Sequence, residues 1–229
     1  LSDANFWIGL MKIIWINIIL SGDNAVVIAL AARSLPPHQQ KKAILFGSGA
    51  AVVLRIILTV VAAQLLALSY LQIIGGLLLL WIGVQLLGDE DEAEEGEAEQ
   101  KGLMAAVRTI LIADLVMSLD NVIAVAAAAK GSTTLLIIGL AISIPLVVFG
   151  ATLLMKLMER WPVIITIGAG LLGWVSGEML ITDPAVANWV DTNAHWLHTV
   201  APAFGAVAVV AIGKWITTFR APKEITHHA

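Results

Sequence analysis

Seven apolar segments, at about residues 6–32, 42–68, 71–87, 103–129, 133–158, 162–181 and 199–219, fill most of this chain. Each approaches or exceeds the ~20 residues with which a helix crosses a bilayer. A backbone in hydrocarbon finds no water for its N–H and C=O groups and must satisfy them within the segment, which a helix does. The expected fold class is therefore an all-α integral membrane protein, seven transmembrane helices in one membrane domain over 1–229. A hydrophobic content of 59%, a charged content of 13% and a mean hydropathy of +0.91 exceed what a soluble core of this size can use. The first segment lacks the basic flank and small-residue cleavage site of a signal peptide, so no removed targeting segment is expected.

Charge orients the layout. Arg33, Lys41, Lys42, Lys101, Arg108, Lys156, Arg160, Lys214, Arg220 and Lys223 fall on one side of it, and only Lys12 and Lys130 on the other. By the positive-inside rule the N-terminus is outside and the C-terminus cytoplasmic. Trp7, Trp15, Trp161, Trp196 and Trp215 lie near span ends, as interfacial anchors do. GDEDEAEEGEAEQ at 88–100 carries eight acidic residues, so it more than accounts for the net charge of −4 and the rest of the chain is mildly basic. That run is expected to be a disordered cytoplasmic loop within a linker over 88–102. No cysteine is present, which excludes disulfides, thiolate ligands and CxxC redox chemistry.

An internal repeat divides the apolar segments. SGDNAVVIALAA at 21–32 returns as SLDNVIAVAAAA at 118–129, so Ser21, Asp23 and Asn24 match Ser118, Asp120 and Asn121 at an offset of 97, and Asn17 matches Asp114 at the same offset. Gly75, Trp81 and Gln85 match Gly168, Trp174 and Glu178 at an offset of 93. The halves are 6–87 and 103–181, with a seventh helix at 199–220 outside the repeat. Three spans are an odd number and the acidic linker is too short and too charged to cross, so the second half runs inverted. Inverted repeats are a mark of secondary transporters, whose sites lie near the midplane where helices are interrupted.

An aspartate at the centre of a membrane helix costs roughly 2.5–3.5 kcal/mol on insertion scales, and holding helices together does not require that cost twice at matched positions. Asn17, Ser21 and Asn24 share one helical stripe, as do Asp114, Ser118 and Asn121. Asp23 and Asp120 lie about 100° from those stripes. Gly22 weakens the helix beside Asp23 and would let its carboxylate turn toward the others. Counting from the span ends sets Asp23 level with Asp114 toward the cytoplasm, a dianionic layer, and Asn17 level with Asp120 toward the outside. Such an oxygen-rich set suits a hard divalent cation. The metal ligands expected are Asp23, Asn24, Asp114, Asp120 and Asn121, supported by Asn17, Ser21, Ser118, Arg55 and Glu178. Arg55, near mid-span, should pair with a carboxylate, either as a fixed structural bridge or as the cation that replaces the metal beside Asp23 or Asp120. Glu178 is read as a proton carrier, an exit ligand or a solvated residue near its span end.

The two DN phrases, the VLRIIL around Arg55 and the three-plus-three layout resemble the TerC family of integral membrane proteins over about residues 6–220. The family is named for tellurium resistance, and the resemblance implies manganese export from the bacterial cytoplasm across the inner membrane. Mn2+ would be the transported ion, with no prosthetic group. The position of Asn17 resembles a glutamate in many relatives, so the amide here implies a weaker ligand.

Other functions weigh less. An intramembrane aspartyl protease also places two aspartates in neighbouring helices, but no YD or GxGD motif is present and no catalytic residue is expected. A membrane partner that supplies metal to secreted proteins, or joins the secretion machinery, would keep the same site, and a homodimer fits equally. No phosphate-binding loop suggests ATP-driven pumping, so coupling would come from protons or the membrane potential, and no nucleic-acid partner is expected. His195, His198, His227 and His228 are read as structural, for want of partner carboxylates.

Overall fold

Leu, Ile, Val and Ala on every face of a long segment leave only a helix as a way through hydrocarbon, and helices are what forms. The computed structural model describes residues 4–20, 22–65, 68–88, 97–129 and 133–220. Within them the chain forms α1 (Ala4–Leu20), α2 (Gly22–Arg33), α3 (Pro37–Leu65), α4 (Leu71–Gly88), α5 (Glu97–Ala129), α6 (Thr133–Arg160), α7 (Val163–Thr182), α8 (Ala187–Asn193) and α9 (Leu197–Arg220), with no strand among the described residues. Large apolar side chains stay outside, Phe149 at 69% and Phe204 at 72% exposed among them. All five interfacial tryptophans are likewise exposed. Outward apolar faces on this scale fit a lipid surround.

Six described helices are long and apolar enough to span, on α3, α4, α5, α6, α7 and α9, where seven had been expected. The difference lies in segment 6–32. It is described as two helices, α1 of 17 residues and α2 of 12, flanking Ser21, which lies outside the described residues. At 1.5 Å per residue α2 reaches only about 18 Å, short of a ~30 Å hydrocarbon core. Gly22 and Asp23 are weak residues for a helix interior but favourable in a first turn, where Asp23 faces the positive end of the helix dipole. The acidic linker is also shorter than expected. Residues 89–96 lie outside the described part, but α5 already begins at Glu97, because EAEQKGLMAAV is rich in strong helix formers and Gly102 alone does not interrupt it.

Helix α3 packs on α5, α1 and α2 on α6, and α4 on α7, with α9 laid against α7 and α4. Small residues set the closest approach. A Cβ added at Gly173 would meet the backbone carbonyl of Gly205, and one at Gly177 that of Ala201. Helices in lipid gain association from such close backbone contact, since apolar burial alone drives little there. Matched repeat positions share environments: Gly75 and Gly168 are buried, while Trp81 and Trp174, and Gln85 and Glu178, are exposed.

One clasp ties α4 to α7. Asp183, just past the end of α7, is fully buried. Its Oδ1 accepts the N–H groups of Tyr70 (2.9 Å) and Ala185 (2.8 Å), and its Oδ2 those of Gln72 (3.0 Å) and Ile73 (3.3 Å). The carboxylate thereby satisfies first-turn donors of α4 that the helix itself leaves open. It also steadies Tyr70, which holds a φ of 70° that non-glycine residues rarely adopt. Burial works against the charged form, yet these backbone donors outweigh it and hold the Asp183 carboxyl below the usual carboxylate range. Because the folded state favours the ionised form, its contribution is complete above the unfolded value near 4 and fades as pH falls through the lower folded value. Asp183→Ala leaves four backbone donors without this acceptor and should therefore cost several kcal/mol at neutral pH, each buried donor left unsatisfied costing about 1–3 kcal/mol. Thermal unfolding in detergent from pH 7 to pH 3 checks this: the gap between wild type and variant should close at the acid end.

Candidate metal centre

The bundle interior holds a guanidinium and two carboxylates in one neighbourhood. Arg55 on α3 is 4% exposed and Asp114 on α5 is 5% exposed. Arg55 Nη2 donates to Asp114 Oδ1 in a close ion pair, and Arg55 Nε donates to Ser118 Oγ at 3.0 Å. Ser118 Oγ in turn donates to Asp114 Oδ2 at 3.3 Å. Asp114 and Ser118 stand one turn apart on the same face of α5, so a single guanidinium reaches both. Small residues on α3 make the reach short: a Cβ at Gly47 would come 2.8 Å from Ile110 Cδ1, one turn before Asp114.

Asp23, half-buried in the first turn of α2, lies within electrostatic range of both Arg55 and Asp114. Its Oδ1 accepts the Asn24 backbone N–H at 2.8 Å. Asn24 itself is buried, its side chain inside the bundle. Asp23 and Asp114 thus share one electrostatic neighbourhood, but it is not simply dianionic. Arg55 stands in it, so the described part carries one net negative charge. Arg55 meets a carboxylate, as expected, and Asp114 is such a partner among the described residues. The stripe on α5 explains the choice, because Asp114 and Ser118 face α3 together.

Other expected ligands fall elsewhere. Asp120 and Asn121 continue α5 beyond Ser118 and Asn17 lies on α1, but their side chains, like the whole of Ser21, lie outside the described residues. Glu178 is exposed on the last turns of α7 and does not join the cluster. Ser48 also lies in the interior, unflagged by the motifs: it is 2% exposed and its hydroxyl takes no hydrogen bond among the described residues. It lies seven residues before Arg55 and so on the same face of α3. The seven-residue spacing to Arg55 was the available signal. Contrary to expectation, His195 and His198 do not lack a carboxylate. His198 Nε2 lies 2.7 Å from Asp191 Oδ1, a contact that a turn between two helices creates and that helical periodicity alone does not reveal.

Charged groups in a membrane interior are rare and mark ion pathways, proton relays or ligand counter-ions. This cluster offers carboxylate, amide and hydroxyl oxygens, with a guanidinium able to compete with a cation for one of them. The sequence matches the integral membrane protein TerC family over residues 2–221. It is 45% identical over 181 residues to the uncharacterized membrane protein YjbE of Bacillus subtilis, covering 79% of this chain and 83% of that one. It is 26% identical to YkoY of the same organism, over 91% of this chain and 71% of the relative, and 24% identical to the inner membrane protein YgdQ of Escherichia coli, over 71% and 75%. No solved structure matches it. With apolar helices enclosing a buried ionic cluster and a family match spanning nearly its whole length, the chain belongs to the TerC family of integral membrane proteins.

Proposed function

We propose that the protein exports a divalent cation, Mn2+ first among them, from the cytoplasm through the site around Asp23 and Asp114. The observation that carries this reading is the buried Arg55–Asp114–Ser118 triad with Asp23 beside it. Counting Asp120 further along α5, three carboxylates and one guanidinium sum to two negative charges, which a divalent ion neutralises. Asp23 offers the open oxygen, since both oxygens of Asp114 are engaged by Arg55 and Ser118. A cation arriving at Asp23 competes with Arg55 for Asp114, and Arg55 returns to Asp114 when the ion leaves. The guanidinium thereby spares the empty site an uncompensated buried charge. Packing of α3 on α5 and of α1 and α2 on α6 is the exchange of partners that a two-fold pseudo-symmetry of inverted halves requires, and it supports alternating access. In this scheme the N-terminus is outside, and the amide of Asn17 makes the outer half a weaker holder and an easier exit. A protease mechanism needs two carboxylates sharing a proton, and the ion pair with Arg55 disfavours Asp114 as one of them.

Purified protein in liposomes, loaded in turn with Mn2+, Mg2+, Ca2+ and Zn2+ and monitored for ion flux together with internal pH, tests the substrate class. Saturable flux of Mn2+ above Mg2+ and Ca2+ is the expected result, and a linked pH change would identify protons as the returning ion. Equal, unsaturable leakage of all four would overturn the proposal.

A further inference from the structure

We propose that Asp191, His195 and His198 form a second metal site, where α8 meets the first turn of α9, that takes a borderline transition-metal dication of the Zn2+, Co2+ or Ni2+ class. Their ligand atoms all lie within 4.8 Å of one another, the one such group of His, Asp or Glu among the described residues. The local fold builds it. Helix α8 stops at Asn193 because Ala194 adopts φ −145° and ψ 46°, and the chain restarts as α9 at Leu197. The turn is fixed from beneath: Val190 and Ala194 are buried at 3% and 4% exposure, and the Ala194 N–H donates to Val190 O at 2.9 Å. His195 in the turn and His198 on α9 are thereby set beside Asp191 on α8, with the two rings 5.1 Å apart and tilted by 53° rather than stacked.

Two imidazoles and a carboxylate make a mixed nitrogen and oxygen set, which suits zinc, nickel or cobalt better than magnesium or calcium. Its chemistry therefore differs from that of the all-oxygen buried centre. Zinc–ligand bonds of 2.0–2.2 Å put tetrahedral donors roughly 3.3–3.6 Å apart. Donors now up to 4.8 Å apart close that gap by side-chain rotation, which the exposed Asp191 and His195 make freely beside a half-buried His198. The ion would replace the present His198–Asp191 contact and leave a fourth position to water. Three ligands, with Asp191 and His195 exposed and His198 half-buried, fit reversible binding rather than a permanently held structural ion. At the joint of α8 and α9, beside the end of α7, an ion so bound would brace that connection.

The test uses the full chain in detergent, in a His227→Gln/His228→Gln background that removes the other paired imidazoles of the sequence. Co2+ is titrated with detection of its visible absorption, and Zn2+ is then added as competitor. The expected result is saturable binding of Co2+ with bands displaced by Zn2+, weakened at least tenfold by His195→Ala or by His198→Ala and severalfold by Asp191→Asn, at unchanged helical content. If the combined Asp191→Asn/His195→Ala/His198→Ala variant gives the same titration as its background, or the background shows no saturable Co2+ absorption below millimolar, the site does not exist. No transport is measured, so the outcome stands apart from that of the proposed export.

Discussion

Arg55→Ala is expected to destabilise the protein by about 3–5 kcal/mol, the cost of removing one partner from a buried ion pair. The side chains of Arg55 and Asp114 are only 5% and 6% exposed, so solvent does little to relieve the stranded carboxylate. Ser118 loses its donor from Arg55 at the same time and Asp114 keeps only the hydroxyl. Arg55→Lys should recover part of the loss, because an ammonium keeps the charge but cannot span Asp114 and Ser118 as a guanidinium does. The informative variant is the double one. Arg55→Leu with Asp114→Leu removes both charges, and replacing both members of a buried pair by apolar groups is often neutral or stabilising. The double variant should therefore unfold near the wild-type temperature in detergent and yet carry no Mn2+. Separate recovery of stability and loss of flux would show that the pair serves the ion and not the fold alone; recovery of both would make it a structural bridge.

Several elements were readable from the residues alone. The segments that became α3, α4, α6, α7 and α9 lie within a few residues of their expected limits, because long apolar runs ended by charge, proline or glycine carry their own boundaries. That Arg55 must meet a carboxylate also followed from depth alone. Which carboxylate did not, since it depends on how close α3 comes to α5, and that is set by Gly47 against Ile110. The start of α5 was misplaced because a run of acidic residues reads as a solvated loop, while the Ala and Glu of 97–101 also favour a helix. Asp183 and Asp191 were missed for one shared reason. Each acts across a chain reversal, Asp183 on backbone N–H groups more than a hundred residues away and Asp191 on an imidazole beyond a helix break, and no periodicity records such contacts.

In the proposed export a cation passes between Asp23 and Asp114. Removing either charge while keeping shape leaves an amide that still fits but binds a divalent ion far less well, and disturbing even the groups that orient a ligand costs about 10–100-fold in metal affinity. Asp23→Asn should be the cleaner probe, since Asp23 is half-buried and among the described residues its Oδ1 accepts the neighbouring Asn24 N–H, which an amide oxygen can also accept. Asp114→Asn also releases Arg55 and should lower stability as well. The direct measurement is initial Mn2+ flux in proteoliposomes for wild type, Asp23→Asn and Asp114→Asn, at matched protein content and confirmed helical folding. Flux reduced about 100-fold or more in both variants is the predicted result; flux at the wild-type rate in Asp23→Asn would contradict it.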